Sequence, residues 1–388
     1  MNSDRGLSYR VAVLQLTPED GIAKIICEEL GGLGHSAVPF GYGASIPKGT
    51  EIVVTHIHGD LHGSPPKLLP VLQQIAQNLP ADRPTIVHWN TEGYPDLRIP
   101  PPLMWTLGFC RSRSSQFSHS KHSWLRRLAS QPPLAWVNNR MHRFRYVGDY
   151  QYAYRRGWLN ILADSSRIYA QLNANRGMPT VYVPWGATPS VYADLGLERD
   201  IDVLWMGKRG TRRRSQLLDQ VRQELRSYDV EVHVADNEEN PFIFGETRTR
   251  FLNRAKICLN LTRTWYDDNF SRFAFAAPNR CLIVSEPLLP HCPDFEAGNH
   301  YVSAPIDKLA QSIVYYLSHD DERRAIVDNA YQLVTTRLSF RSSMARLMDA
   351  VTQHRTQKDF SLSASLYYAG WSTQRSNLPT ASSLDTER

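Results

Sequence analysis

Short β-branched and aliphatic runs alternate with segments of helical apolar spacing along most of the chain, and this rhythm constrains the fold more than any other feature. SYRVAVLQL (8–16), EIVVTHI (51–57) and PTIVHW (84–89) read as strands, with GIAKIICEELGGLGH (21–35) and PKLLPVLQQIAQNL (66–79) as helices between them. Such alternation implies parallel strands joined by crossover helices. Between 95 and 157 the rhythm blurs into Pro-rich and basic segments. It returns in WLNILADSSRIYAQLNANRGMPTVYVPWGATPSVY (158–192), a strand, a helix and a strand closed by Pro184, Trp185 and Gly186.

A second alternating unit follows a connection at 184–200. DIDVLWMG (200–207) and VEVHVAD (230–236) read as strands around the helix GTRRRSQLLDQVRQELRSY (210–228), and GETRTRFLNRA (245–255) as a helix. KICLNLTRTWYDDNFSRFAFAAPNRCLIVSE (256–286) combines a buried strand, a loop with Arg263 and two acids, a short small-residue helix and a second buried strand. Two helices broken near Ser318 and one more within 340–353 complete the unit. A chain of 388 residues accommodates two domains of ordinary size.

Composition narrows the class. Hydrophobic content of 42% and charged content of 21% fit a globular protein, and no apolar run reaches the roughly 18 residues a membrane span needs. The polar start MNSDRG runs into an apparent strand without a signal peptide, so cytoplasmic residence is expected. Five cysteines without a CxxC pair argue against a disulfide framework or structural zinc. The net charge of +6 is concentrated at 111–157, where basic and aromatic residues interleave. Such a surface suits nucleic acid, an anionic membrane surface or an anionic acceptor; the plainer alternative is a solvated basic face with its aromatics in the core.

The motif at 256–286 and the stretch PDFEAGNHYVSAPIDKLAQSIVYYLSHDDERRAIVDNAYQLV (293–334) resemble the nucleotide-binding domain of GT-B glycosyltransferases, in particular the spore-maturation or family 1 glycosyltransferase-like group. The resemblance implies an α/β protein with two Rossmann-like domains facing across a cleft: 1–185 for the acceptor, 186–340 for a nucleoside diphosphate sugar, a helix at 341–354 crossing back, and a flexible tail at 355–388. It implies a hexosyltransferase-like enzyme that needs no metal or other cofactor and takes a nucleotide sugar and an unidentified acceptor.

Within that resemblance, Ser271-Arg272-Phe273 matches the arginine that precedes the family's donor helix. The family's glutamate two residues later, which holds ribose hydroxyls, is replaced here by Ala274, and its small turn residue near the helix end by Pro278-Asn279. Ribose contacts then fall to Glu286 or Asp268. The strand–helix loop carrying Gly207, Lys208 and Gly210 permits close approach of backbone to phosphate, with Arg212, Arg263 and Arg272 adding charge. The residues expected at the donor are therefore Gly207, Lys208, Arg212, Arg263, Arg272 and Glu286.

For catalysis the candidates are His56, His58 and Asp60, which follow a strand's carboxyl end. The same segment, THIHGDLHG (55–63), also resembles the HxHxD signature of metallo-β-lactamase-fold hydrolases, whose two histidines share a face of an extended segment and can chelate zinc. The further ligands of that fold are not evident. Two other readings thus stand beside the transferase: a metal-dependent hydrolase, and a catalytically silent nucleotide- or nucleic-acid-binding protein.

Overall fold

The computed structural model describes residues 7–17, 20–56, 68–79, 83–93, 98–118, 120, 122–132, 134, 144–264, 271–288 and 294–356. The chain divides into two compact units, residues 1–183 with 345–388, and residues 184–344.

The first unit is built on a six-stranded sheet in which every pairing is parallel. In chain order its elements are β1 (Arg10–Gln15), α1 (Gly21–Gly32), β2 (Ser36–Gly41), β3 (Ile52–His56), α2 (Leu68–Gln77), β4 (Thr85–Asn90), α3 (Pro101–Ser118), α4 (Ser123–Ala129), α5 (Arg145–Arg155), β5 (Ile161–Asp164), α6 (Arg167–Ala174) and β6 (Thr180–Tyr182). The strand order β2-β1-β3-β4-β5-β6 reverses between β1 and β3. Asp20 caps α1, accepting from the amides of Ile22 and Ala23 at 3.2 and 3.3 Å, and so fixes where the chain leaves β1.

The segment where the sequence pattern blurred is helical. Helices α3 and α5 approach closely at Gly108 and Gly148; a Cβ on Gly148 would lie 1.9 Å from the carbonyl oxygen of Gly108. Tyr146 and Tyr150 are buried, and Tyr152 and Tyr154 pack partly buried against the same core. These aromatics of the basic segment therefore serve packing, although Trp124 on α4 remains 64% exposed.

The second unit carries a five-stranded sheet, again parallel throughout, in the order β11-β10-β9-β7-β8. It comprises β7 (Ile201–Met206), α7 (Arg212–Arg226), β8 (Val232–Ala235), α8 (Gly245–Arg254), β9 (Ala255–Asn260), α9 (Ser271–Ala276), β10 (Leu282–Ser285), β11 (Val302–Ser303), α10 (Leu309–Ser318) and α11 (Asp320–Thr336). Aliphatic side chains cover both faces. Leu218, Val221 and Leu225 of α7 pack with Val203, Trp205 and Ile257, while Leu252 of α8 and Phe273 of α9 pack with Leu204, Cys258 and Ile283. The stretch 184–200 lies along this unit: Asn253 accepts from the amide of Leu195 at 3.0 Å and Asn279 from that of Ala193 at 3.3 Å.

The last helix, α12 (Phe340–Thr356), starts in the second unit and finishes in the first. At its start, Ser343 donates to the carbonyl of Pro184 at 2.8 Å. Near its end, Thr352 donates to the Tyr9 hydroxyl at 3.2 Å and Arg355 to the carbonyl of Glu51 at 3.0 Å. The tail expected at 355–388 lies outside the described residues beyond Thr356. No helix among the described residues is long and apolar enough to cross a membrane.

Candidate functional site

In an open parallel sheet the ligand crevice lies outside the carboxyl ends of the strands, where the strand order reverses. In the second unit the reversal falls between β7 and β9. Arg272, at the start of α9, joins those two strand ends. Its Nε donates to the carbonyl of Met206 at 3.1 Å, and its Nη1 to Asn260 Oδ1 at 3.0 Å. Its guanidinium also lies over the Trp205 ring, 5.7 Å from the centroid, and that of Arg214 lies 5.5 Å from it. A guanidinium held this way is pre-organised at the crevice.

The loop after β7 closes around the same point. Gly207 has φ +112° and Gly210 φ +72°, conformations that strain any residue with a side chain. A Cβ on Gly207 would stand 3.3 Å from Arg272 Nη2, and one on Gly210 would stand 3.4 Å from Arg214 Nη2 and 3.8 Å from Arg263 Nε. Three guanidinium groups thus gather on a short backbone loop. Lys208, Arg212 and Arg263 are exposed beside it. The structure therefore brings together Gly207, Lys208, Arg212, Arg263 and Arg272.

Glu286 is also at this edge, just past β10, but its carboxylate is already occupied. Arg213 donates to both oxygens, and Thr262 donates to Oε1 through its amide at 2.7 Å and its hydroxyl at 2.9 Å. Only 3% of Glu286 is exposed. It is placed to hold Arg213 rather than to offer free oxygens to a ribose. Of the arginines that open α7, Arg212 is exposed, Arg213 is half-buried and turned to Glu286, and Arg214 is buried. Replacing Glu286 with Gln should destabilise the second unit by about 1–3 kcal/mol, because a charge-assisted pair is lost at a buried acceptor. Urea unfolding checks this; an unchanged midpoint would show that the pair contributes nothing.

Arg209, in the same loop, is consumed structurally. It donates to Asp236 Oδ2 and to Asp219 Oδ1, each at 2.8 Å, and to Glu239. Asp236 in turn caps the amides of Glu238 and Glu239 at 2.8 Å each. Despite its burial, these hydrogen bonds hold the Asp236 carboxyl below the usual carboxylate range. The loops after β7 and β8 are thereby tied to each other.

In the first unit His56 ends β3 beside the reversal of that sheet, yet it is 1% exposed. Its Nε2 lies 3.5 Å from Asp20 Oδ2, a neighbour that favours the imidazolium. Burial pushes the imidazole pKa down to about 4, outweighing the hydrogen bond to the Leu14 main chain that favours the charged ring, so the ring is neutral at pH 7. A buried neutral histidine departs from the expectation of a solvent-facing base. His58 and Asp60 lie outside the described residues, as does Asp268. The parallel sheet is also not the sandwich that the HxHxD hydrolase reading requires. Among the described residues no group of three His, Cys, Asp or Glu side chains is placed to hold a metal.

The His56 environment has a consequence for stability. Between pH 4 and 6.5 the unfolded chain binds a proton there that the folded protein does not, so acidification through this window favours unfolding. The loss from His56 should approach about 3 kcal/mol by pH 4. In the His56→Gln variant that part of the pH dependence should disappear. Identical pH–stability slopes in the two proteins would contradict a buried neutral imidazole.

Residues 212–349 match a family model described as glycosyl transferase-like. The chain has the GT-B fold. It is similar to the sucrose-phosphate synthase from Thermosynechococcus elongatus, with a TM-score of 0.53 and 10% identity over 90% of this chain and 99% of that one. It is also similar to HepE from Anabaena, solved in complex with UDP and glucose, with a TM-score of 0.51 and 10% identity over 89% of this chain and all of that one. No curated protein matches it in sequence. Within the matched stretch, Ala274 stands where the resemblance expects a ribose-binding glutamate, and it is 2% exposed.

Proposed function

We propose that the protein transfers a sugar, a hexose by resemblance, from a nucleoside diphosphate sugar to an acceptor hydroxyl, and that the second unit binds the donor. The observation that carries this reading is Arg272, bonded to the ends of both β7 and β9 where the strand order reverses. Glycosyl transfer breaks the bond between the anomeric carbon and the diphosphate oxygen, and negative charge develops on the departing diphosphate. Donors fixed in advance where charge develops lower the barrier without reorganising. Arg272, Arg263, Lys208 and Arg212 provide positive charge, and the glycines of loop 207–210 let backbone amides approach the phosphates. Glu286 takes part by holding Arg213. This cationic set performs the neutralisation that a divalent metal performs elsewhere, which supports metal-independent transfer. That HepE was solved with UDP and glucose supports a uridine nucleotide as the first donor to try.

For the acceptor's proton, His58 and Asp60 are the candidates that remain. His56 is better suited to fixing the end of β3 than to exchanging protons at neutral pH.

Thermal stability in the presence of UDP, GDP, ADP, CMP and dTDP, and of zinc alone, each with and without a chelator, tests the donor assignment. A nucleotide at about 100 times its dissociation constant stabilises by roughly 2.7 kcal/mol. One nucleotide should stand out and be indifferent to chelator. Silence throughout would overturn the reading, and a shift with zinc alone would restore a metal-dependent one. Nucleotide binding without sugar transfer would favour the silent binder that Ala274 allows.

A further inference from the structure

Most inward arginines of the second unit have an anionic or carbonyl partner: Arg209 has Asp236, Arg213 has Glu286, and Arg199 donates to main-chain carbonyls. Arg248 has neither. It belongs to the opening turns of α8 and is half-buried. Its guanidinium carbon lies 3.6 Å above the ring centre of Phe275, and its Nε is enclosed without a hydrogen-bond acceptor. Desolvation pulls its pKa down to about 10, so it stays charged at pH 7. Stacking on an aromatic face offsets part of the cost of that desolvation. That contact leaves the donors of the guanidinium fork unused, and a carboxylate or phosphate would satisfy them.

The location supports a substrate role. Helix α8 follows the carboxyl end of β8, and α9 follows that of β9, so the first turns of both lie at the edge where Arg272 stands. Phe275 is three residues after Arg272, on the same face of α9. On the other side, Trp185 meets Phe275 edge-on with ring centres 6.2 Å apart. A cation resting on one aromatic ring, itself flanked edge-on by a second, is suited to an anionic group carried on an otherwise apolar or sugar-like surface.

We propose that Arg248, stacked on Phe275, is a second oxyanion-binding residue, distinct from the cluster around loop 207–210, that receives a carboxylate or phosphate group of a substrate. It rests on the transferase reading for the assignment of that anion to a substrate. In that case the substrate pair carries an acidic group beyond the donor diphosphate.

The test is side-chain NMR of the full chain labelled with 15N-arginine, with the Arg248 Nε–H signal assigned by its loss in Arg248→Lys. Inorganic phosphate and acetate are titrated separately. A saturable shift of the Arg248 signal is expected with at least one of them; phosphate alone would name a phosphate group, acetate alone a carboxylate. An Arg248 signal unmoved by both would overturn the proposal. The outcome is separable from the nucleotide reading, because UDP binding is measured on the same sample. A protein that binds UDP while Arg248 stays silent loses only this inference. Failure to bind UDP would remove the nucleotide reading while the Arg248 signal could still respond.

Discussion

Replacing Arg272 with Ala should weaken nucleotide binding roughly 10- to 100-fold while the protein stays folded. Charge-assisted hydrogen bonds are each worth about 1.5–3 kcal/mol, and 1.4 kcal/mol is a factor of ten in affinity. The guanidinium is aimed by Met206 and Asn260 on separate strands, so its position does not depend on a bound ligand. Arg272→Lys retains the charge but loses the planar fork and should fall between wild type and Ala. Titration calorimetry with the nucleotide selected by thermal stability reads the difference. An unchanged dissociation constant in Arg272→Ala would remove this residue from the site. Equal losses for Lys and Ala would show that fork geometry, not charge, does the work.

The second large effect is structural. In an ordinary exposed helix, Gly→Ala stabilises by up to about 1 kcal/mol. At Gly148 the sign should reverse. The added methyl would lie 1.9 Å from the Gly108 carbonyl oxygen and 2.6 Å from Ser112 Oγ. The serine can rotate away, but the carbonyl belongs to the backbone of α3, so the two helices must separate. That separation disturbs Tyr146, Val147 and Tyr150, which are all in the first unit's core. Overpacking of this kind costs about 3 kcal/mol, which exceeds the propensity gain and leaves a net loss of about 2 kcal/mol. Denaturant unfolding measures it. A stabilised Gly148→Ala variant would mean that the helices do not pack at this distance.

Much of the architecture was legible because strands buried on both faces appear as unbroken aliphatic runs. β3, β4, β9 and β10 are almost wholly buried, and each was visible as such a run. β2 was not. It is a sheet-edge strand with Pro39 inside it and mostly exposed residues, so it lacks the apolar signature. Helices α3 and α5 were obscured for another reason. Their packing relies on two glycines and several tyrosines among basic residues, a pattern that resembles a loop or a binding surface.

The site divided along similar lines. Arg272 and loop 207–210 were legible because each follows a strand and precedes a helix. The Arg213–Glu286 pair joins residues 73 apart in the chain, and nothing local announces it. Arg212 and Arg213 are chemically alike, and only the seating of α7 leaves one in solvent and turns the other to Glu286. His56 misled because alternation normally exposes every second residue of a strand. Here all five residues of β3 are buried, since both faces of the sheet are covered. Arg248 carried no signal in the sequence, because its distinguishing feature is the absence of a carboxylate beside it among the described residues.

The most direct measurement is a crystal structure of the protein with UDP. The expected result is diphosphate density between loop 207–210 and Arg272, at the carboxyl ends of β7 and β9. UDP bound elsewhere on the molecule, with that crevice holding only solvent, would contradict the assignment of the donor site.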